Sequence, residues 1–152
     1  MVTLEEAIAK TMAEVWYTAP ERVPLTEVSG RVLAEDIRCD IDMPPFEKAA
    51  VDGFACRAED LGNPLEIIET ISAGKVPQYA LKAGTCSRIM TGAMIPEGCD
   101  AVIPVEDTTL DDVGRVIFTG KGKPVNIAHQ GEDIRKGEKV LESGTLIQAQ
   151  HI

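Results

Sequence analysis

The chain has 152 residues, a net charge of −10 and a hydrophobic content of 44%, which is ordinary for one soluble domain or two small ones. The acidic balance argues against a nucleic-acid or anionic-membrane surface, because phosphate contacts need clustered Lys and Arg. No apolar run approaches the roughly 20 residues that cross a bilayer, and no signal peptide is evident at the start of the chain. We therefore predict no nucleic-acid partner and no membrane partner.

The four cysteines, Cys39, Cys56, Cys86 and Cys99, are too widely spaced to form a C-x-x-C pair, and the chain has only two histidines. Zinc sites usually show closely paired cysteine or histidine ligands, so this spacing disfavours one. Reduced and mostly buried thiols are the better interpretation, and they are typical of a cytosolic protein. The sequence therefore predicts a cytoplasmic location.

A helix is the first predicted element. Thr3 and Glu6 form a capping-box pattern, and apolar residues then recur at helical spacing from Leu4 to Trp16. The helix must stop before Pro20. Its apolar stripe is wide and needs a covering surface. Packing on this domain's own core and docking on another domain or subunit both remain open at this point.

The rest of the chain reads as short strands separated by Gly and Pro corners. Pro104 marks its strand as an edge strand or a bulge, because proline cannot donate to a sheet ladder. Many short strands with such corners indicate a small barrel or sandwich. The predicted strands are 32–37, 50–56, 65–71, 87–92, 101–106 and 115–119, followed by a final hairpin of 139–141 and 145–147.

Residues 42–55 hold the least ordinary stretch of the chain. Pro44 and Pro45 fix two backbone angles and remove two donors, so a regular helix or central strand is excluded there. Asp52 then stands in an apolar run beside Gly53, although Asp is depleted in strands. Asp-Gly is a strong hairpin signal, so a turn acid is one interpretation. The other is a functional carboxylate that a rigid scaffold presents.

Four segments occur in an order that matches a known family. They are 42–55, 88–93 (Arg-Ile-Met-Thr-Gly-Ala), 96–102 (Pro-Glu-Gly-Cys-Asp-Ala-Val) and 131–134 (Gly-Glu-Asp-Ile). Together they resemble the N-terminal part of the molybdopterin molybdotransferases of the MoeA/gephyrin type. The resemblance covers nearly the whole chain, and it favours the functional interpretation of Asp52.

The resemblance implies a mainly β fold with an N-terminal helix (α+β). It also implies three parts. The first is an N-terminal helix at 1–20, which packs toward an α/β domain absent from this chain. An elongated connecting domain would consist of 21–42 and 136–152. An inserted small β-barrel-like domain would span 43–135. The resemblance also implies a homodimer, in which this inserted domain faces the α/β domain of the partner subunit.

The activity implied by the resemblance is insertion of molybdate into adenylylated molybdopterin with release of AMP, assisted by Mg²⁺. The implied catalytic residues are Asp52, Thr91 and Asp133, with Asp52 also as metal ligand. Thr91 would turn its hydroxyl and nearby backbone N–H groups to an anion. Asp133 would act like Asp52 or orient another group. No cofactor-binding residue is assigned beyond these. The alternative interpretations are purely structural: a capping hydroxyl for Thr91, and turn acids for Asp52 and Asp133.

This sequence departs from the family pattern at Ala49, where the family usually has Ser. The missing hydroxyl is consistent with a divergent subgroup, one that handles tungstate, or with a paralogue of altered activity. A non-catalytic dimerisation or scaffolding module of a gephyrin-like protein is therefore the alternative function. In the enzyme interpretation, these 152 residues are expected to fold but to be inactive alone.

Overall fold

The computed structural model describes residues 2–152, which form two compact units. One comprises the chain up to Ile37 together with Val140–Ile152, and the other is Arg38–Lys139. The architecture is mostly β with one α-helix, as predicted. The three-part division drawn from the resemblance, with limits at 20, 42 and 135, stays a prediction.

Helix α1 spans Leu4–Ala13 and begins at the predicted capping box. The Glu6 N–H donates to the Thr3 hydroxyl oxygen over 3.2 Å, and the Thr3 N–H donates to the Glu6 carboxylate over 3.0 Å. The helix ends well before Pro20, and none of its residues is buried. Its apolar stripe is therefore open to solvent. Among residues 2–152, no helix has the length and apolar character needed to cross a bilayer.

The remainder of the first unit is held by pairing between its two chain segments. The Leu33 N–H donates to the Thr145 carbonyl over 2.9 Å, and the Ile147 N–H donates to the Arg31 carbonyl over 2.8 Å. The predicted hairpin of 139–141 and 145–147 is therefore wrong. The backbone groups of 145–147 are used by an early segment instead, and the predicted strand 32–37 shortens to a bridge at Val32 and two strand residues.

The described residues contain ten short strands. They form a four-stranded sheet of order β4-β5-β3-β6 and three two-stranded sheets, β1-β10, β2-β9 and β7-β8. The strands are β1 (Ile37–Arg38), β2 (Lys48–Ala49), β3 (Gly53–Cys56), β4 (Glu66–Ile71), β5 (Thr85–Ile89), β6 (Ala101–Pro104), β7 (Thr108–Leu110), β8 (Val116–Phe118), β9 (Ile127–Ala128) and β10 (Lys139–Leu141).

The four-stranded sheet is the centre of the second unit, and apolar side chains cover both of its faces. Alternate residues of a strand point to opposite faces, so β3 contributes Ala55 to one cluster and Phe54 to the other. Every residue of β3 is buried for this reason. The first cluster contains Ala49, Ala55, Ile71, Leu81, Ile89, Ala93 and Val102, and the second contains Phe54, Cys56, Leu65, Cys86, Ala101, Ile103 and Val116.

The predicted barrel-like closure is not confirmed. The main sheet is open within the described residues, with β4 at one edge and β6 at the other. Pro104 lies in the edge strand β6, as its missing N–H predicts. The pairs β2-β9 and β7-β8 are separate two-stranded sheets. The short strands therefore form an open sheet with apolar residues packed on both faces.

The proline-containing segment is held against the loop around residue 131. The Met43 N–H donates to the Ile134 carbonyl over 2.8 Å, and the Gly131 N–H donates to the Pro44 carbonyl over 2.9 Å. The Asp42 carboxylate accepts a bond from the Lys136 N–H over 2.8 Å. These bonds join the proline-containing segment to residues 131–136.

Candidate functional site

Asp52 lies immediately before the central strand β3, at the end of the sheet where β5 finishes. Antiparallel register pairs Gly53 with Ile89 of β5 and with Pro104 of β6. The Val105 N–H donates to the Asp52 carbonyl over 3.1 Å, which fixes the backbone of Asp52 on the β6 side. The side chain itself is exposed. The residue directly before a buried strand therefore presents its carboxylate to solvent.

Thr91 supplies two donors to this carboxylate. Its backbone N–H lies 2.7 Å from Asp52 Oδ1, and its hydroxyl oxygen lies 2.6 Å from the same atom. Asp52 Oδ2 has no hydrogen-bond partner among residues 2–152. One oxygen is thus fully occupied by Thr91, while the other remains available to a ligand.

The loop that carries Thr91 is itself anchored to strand β2. The Gly92 N–H donates to the Ala49 carbonyl over 2.8 Å, and the Ala49 N–H donates to the Ala93 carbonyl over 2.9 Å. Ala49 is buried in the first apolar cluster. A serine there would place its hydroxyl against apolar neighbours, so alanine suits the packing at this position.

Hydrogen bonding lowers the pKa of the Asp52 carboxyl group. The Thr91 hydroxyl has the largest effect, the Thr91 N–H the next favourable one, and the nearby Arg88 charge adds to both, so the pKa of Asp52 lies below its ordinary value of 3.8. A carboxyl with such a pKa stays ionised at neutral pH. It is suited to holding a cation, and it is poorly suited to acting as a general acid or base near pH 7.

Replacing Thr91 with Val should raise the pKa of Asp52 toward 3.8, because the hydroxyl bond is the largest cause of its lowering. A lowered folded-state pKa adds stability above the unfolded-state value and loses it as pH falls through the folded-state value. The variant should therefore lose less stability than the parent on acidification below about pH 4. Carboxyl-carbon NMR titration measures the shift directly.

Thr109→Val is the matched control for that substitution. Thr109 is exposed on β7, and its hydroxyl has no partner among residues 2–152. An Asp52 pKa that is the same in the Thr91 variant, the Thr109 variant and the parent would contradict the assigned hydrogen bond.

Asp52, Gly53 and residues 91–93 are called the Asp52 corner below. Two expectations about it need correction. Asp52-Gly53 is not the tip of a hairpin, because β2 pairs with β9 and Gly53 starts a central strand. The backbone N–H groups around Thr91 do not face an anion either. Those of Thr91, Gly92 and Ala93 donate to Asp52, Ala49 and Met90, respectively, so they are already engaged within the chain.

Asp133 is placed by the loop that pairs with the proline segment. Its N–H donates to the Met43 carbonyl over 3.0 Å, and its side chain is exposed. Its carboxylate makes no hydrogen bond or ion pair within residues 2–152, and it makes none with Asp52 or Thr91. The structure therefore joins Asp52 directly to Thr91, and the role of Asp133 stays a prediction.

Asp52 fits Mg²⁺ as a single protein ligand. No group of three or more His, Cys, Asp or Glu side chains in the described part of the chain could hold a metal ion alone. Magnesium, however, commonly uses one or two carboxylates together with water and substrate phosphates. The exposed, ionised carboxylate with an available Oδ2 matches that requirement.

Arg88 is the site neighbour that the sequence prediction did not assign. It belongs to the matched segment 88–93, in which the prediction names only Thr91 as a site residue. A signal existed in the sequence, because arginine is rarely buried without a partner, and Arg88 is the exposed residue of β5. Its charge acts on Asp52, as described above.

The sequence profile of the MoeA N-terminal region (domain I and II) matches residues 2–152. The chain belongs to this family. Among curated relatives, the molybdopterin molybdenumtransferase of Haemophilus influenzae is 41% identical over 151 residues, which cover 97% of this chain and 37% of the relative. The Bacillus subtilis molybdopterin molybdenumtransferase is 36% identical over 157 residues, covering 96% of this chain and 36% of the relative.

Solved structures agree with this MoeA assignment. A molybdopterin biosynthesis MoeA protein from Pyrococcus horikoshii OT3 superposes with a TM-score of 0.77 at 42% identity, covering 86% of this chain and 36% of that one. A second MoeA structure from Pyrococcus horikoshii gives a TM-score of 0.81 at 34% identity, with 99% and 41% covered. The chain therefore spans well under half the length of these MoeA proteins.

Proposed function

We propose that this chain is the N-terminal region of a molybdopterin molybdotransferase, which inserts molybdate into adenylylated molybdopterin and releases AMP in molybdenum cofactor biosynthesis. The family match over residues 2–152 and the names of the relatives support this assignment. The observation that carries the proposal is the Asp52 carboxylate, which is exposed, ionised and fixed by two bonds from Thr91.

In this proposal Asp52 holds Mg²⁺ through Oδ2, while Thr91 fixes the carboxylate by binding Oδ1. Bound Mg²⁺ offsets the negative charge of phosphate and oxyanion groups and orients them. Thr91 acts through Asp52, because both of its donors are used there. Asp133 would contact the substrate or orient another group from its own loop, where its carboxylate is exposed and has no partner in residues 2–152.

The activity belongs to a longer polypeptide, because the matched region is 37% of the Haemophilus influenzae relative. We propose that the groups that bind the pterin lie in the remaining part, and that residues 1–152 alone are inactive. A homodimer then places the Asp52 corner opposite a pterin site on the partner subunit. The reduced state of all four cysteines is consistent with a cytoplasmic location.

The test uses the full-length protein, meaning the whole polypeptide of which these residues form the N-terminal region. Adenylylated molybdopterin, Mg²⁺ and molybdate are supplied together, and released AMP is measured. We expect AMP release that depends on molybdate, and none from residues 1–152 alone. A folded full-length protein that releases no AMP with either molybdate or tungstate would contradict the proposal and favour the scaffolding alternative.

A further inference from the structure

Arg88 occupies an outward position on an otherwise buried strand. Strand β5 runs Thr85–Ile89, and Cys86, Ser87 and Ile89 are fully buried while Arg88 is exposed. Arg88 falls on the same face of the sheet as Cys86, by the alternation of strand side chains. Phe54, Cys56 and Cys86 on that face belong to the second apolar cluster, whereas Arg88 does not.

The strand register brings Arg88 to the Asp52 corner. Arg88 is directly opposite Phe54 in the antiparallel pair of β3 and β5. Asp52 is two residues before Phe54, so it is the diagonal neighbour of Arg88 on that face. Diagonal neighbours lie about 7–8 Å apart, within reach of long side chains. The guanidinium is close enough for its charge to act on Asp52.

The Arg88 guanidinium makes no hydrogen bond and no ion pair with any group in residues 2–152. Two other arginines of the second unit are paired with acids: Arg115 pairs with Asp111 over 2.8 Å, and Arg57 pairs with two nearby acids. Asp52 makes no hydrogen bond or ion pair with Arg88, and its carboxylate is bonded only to Thr91 among residues 2–152. An exposed cation with all its donors free therefore stands beside a fixed carboxylate.

We propose that Arg88 binds a tetrahedral oxyanion of the substrate beside Asp52. The inference rests on the proposed function and adds an anion-binding residue to its site. A guanidinium presents parallel N–H donors that match two oxygens of a phosphate or molybdate group. A divalent cation on Asp52 would remove the local negative charge, so Arg88 and the cation would bind adjacent oxygens of one anion.

The experiment is an amide and guanidinium NMR titration of residues 1–152, which needs no enzymatic turnover. Two probes are added separately: sodium molybdate, and inorganic pyrophosphate with Mg²⁺. In the parent chain we expect saturable shifts of the Arg88 Nε–H and the Thr91 amide. In Arg88→Gln, the shift at Thr91 should require at least about tenfold more probe, because a charge-assisted bond is lost.

Arg22→Gln is the matched control. Arg22 is also exposed, has no partner among residues 2–152 and belongs to the other compact unit. The Arg22→Gln substitution removes the same charge and should leave the anion titration of the Arg88 and Thr91 signals unchanged. A shift with molybdate alone assigns the anion to the metal oxyanion, and a shift with pyrophosphate alone assigns it to a phosphate group. The proposal is overturned if neither probe shifts these signals, or if Arg88→Gln and the parent titrate alike.

The result is independent of the turnover assay above. Loss of AMP release with intact anion binding would contradict the proposed function and leave Arg88 as an anion site. Normal AMP release without anion dependence on Arg88 would contradict only the role of Arg88.

Discussion

Replacing Asp52 with Asn should lower molybdate-dependent AMP release by the full-length protein about 100-fold. Asn keeps the shape of Asp and an oxygen that accepts the two Thr91 bonds, so the fold of the corner should persist. It removes the negative charge that attracts Mg²⁺ to the exposed oxygen. The measurement is the single-turnover rate of AMP release, together with its dependence on Mg²⁺ concentration.

Asp111→Asn is the matched control for this substitution. Asp111 also accepts backbone N–H bonds, from Val113 and Arg115, and its pKa is also lowered, chiefly by the Arg115 N–H. It lies in the turn between β7 and β8, away from the Asp52 corner in sequence and sheet. We expect its AMP release to match that of the parent. If Asp52→Asn released AMP as fast as Asp111→Asn, a role of Asp52 in the reaction would be contradicted.

Replacing Gly53 with Ala should reduce the free energy of unfolding by about 3 kcal/mol or more. An added Cβ would lie 1.9 Å from the Ile103 carbonyl oxygen and 2.8 Å from its carbon. Both are backbone atoms of the paired strand β6, so no flexible side chain can move aside. Relief requires β3 and β6 to separate, which disrupts both apolar clusters. Urea denaturation of residues 1–152 measures the loss.

Gly62→Ala provides the comparison. A Cβ at Gly62 meets nothing within 4 Å, and its backbone angle is outside the left-handed region. The same change there should be neutral or slightly stabilising, because Ala restricts the unfolded chain. If the two variants unfolded at the same urea concentration, the close approach of β3 and β6 would be refuted.

Local chemistry made several elements predictable. The capping box at Thr3 depends on two side chains three residues apart, and the structure confirms it. Pro104 could be placed in an edge strand because its missing donor excludes a central one. The turn at 111–114 likewise depends on neighbours along the chain, with its Gly114 at a φ of +84°.

Long-range pairing made the rest unpredictable. The strand β2 pairs with β9 across most of the second unit, and residues 145–147 pair with 31–33 rather than with their sequence neighbours. The order of apolar and polar residues in 50–56 does not reveal whether one face of the strand or both faces are packed against apolar residues. The barrel-like domain is predicted from the many short strands with Gly and Pro corners and from the resemblance, whereas the sheet is open and covered on both faces.

In the candidate site, too, local features could be predicted and long-range contacts could not. Asp52 could be singled out from sequence, because a carboxylate beside glycine in an apolar run is unusual. Thr91 is named by the resemblance, but its two bonds to Asp52 could not be predicted, because the residues are 39 positions apart and the Thr91 donors were expected to face an anion. Arg88 required the register of β3 against β5, which one sequence does not reveal.

The most direct test of the Asp52 corner is to locate the metal ion. Mn²⁺ can replace Mg²⁺ in residues 1–152 with pyrophosphate present, and its paramagnetism broadens nearby amide signals. We expect the amides of Gly53 and Thr91 to broaden first in the parent chain, and to remain sharp in Asp52→Asn at the same Mn²⁺ concentration. Equal broadening in the two proteins, or broadening centred on Asp111, would contradict the assignment of Asp52 as the metal ligand.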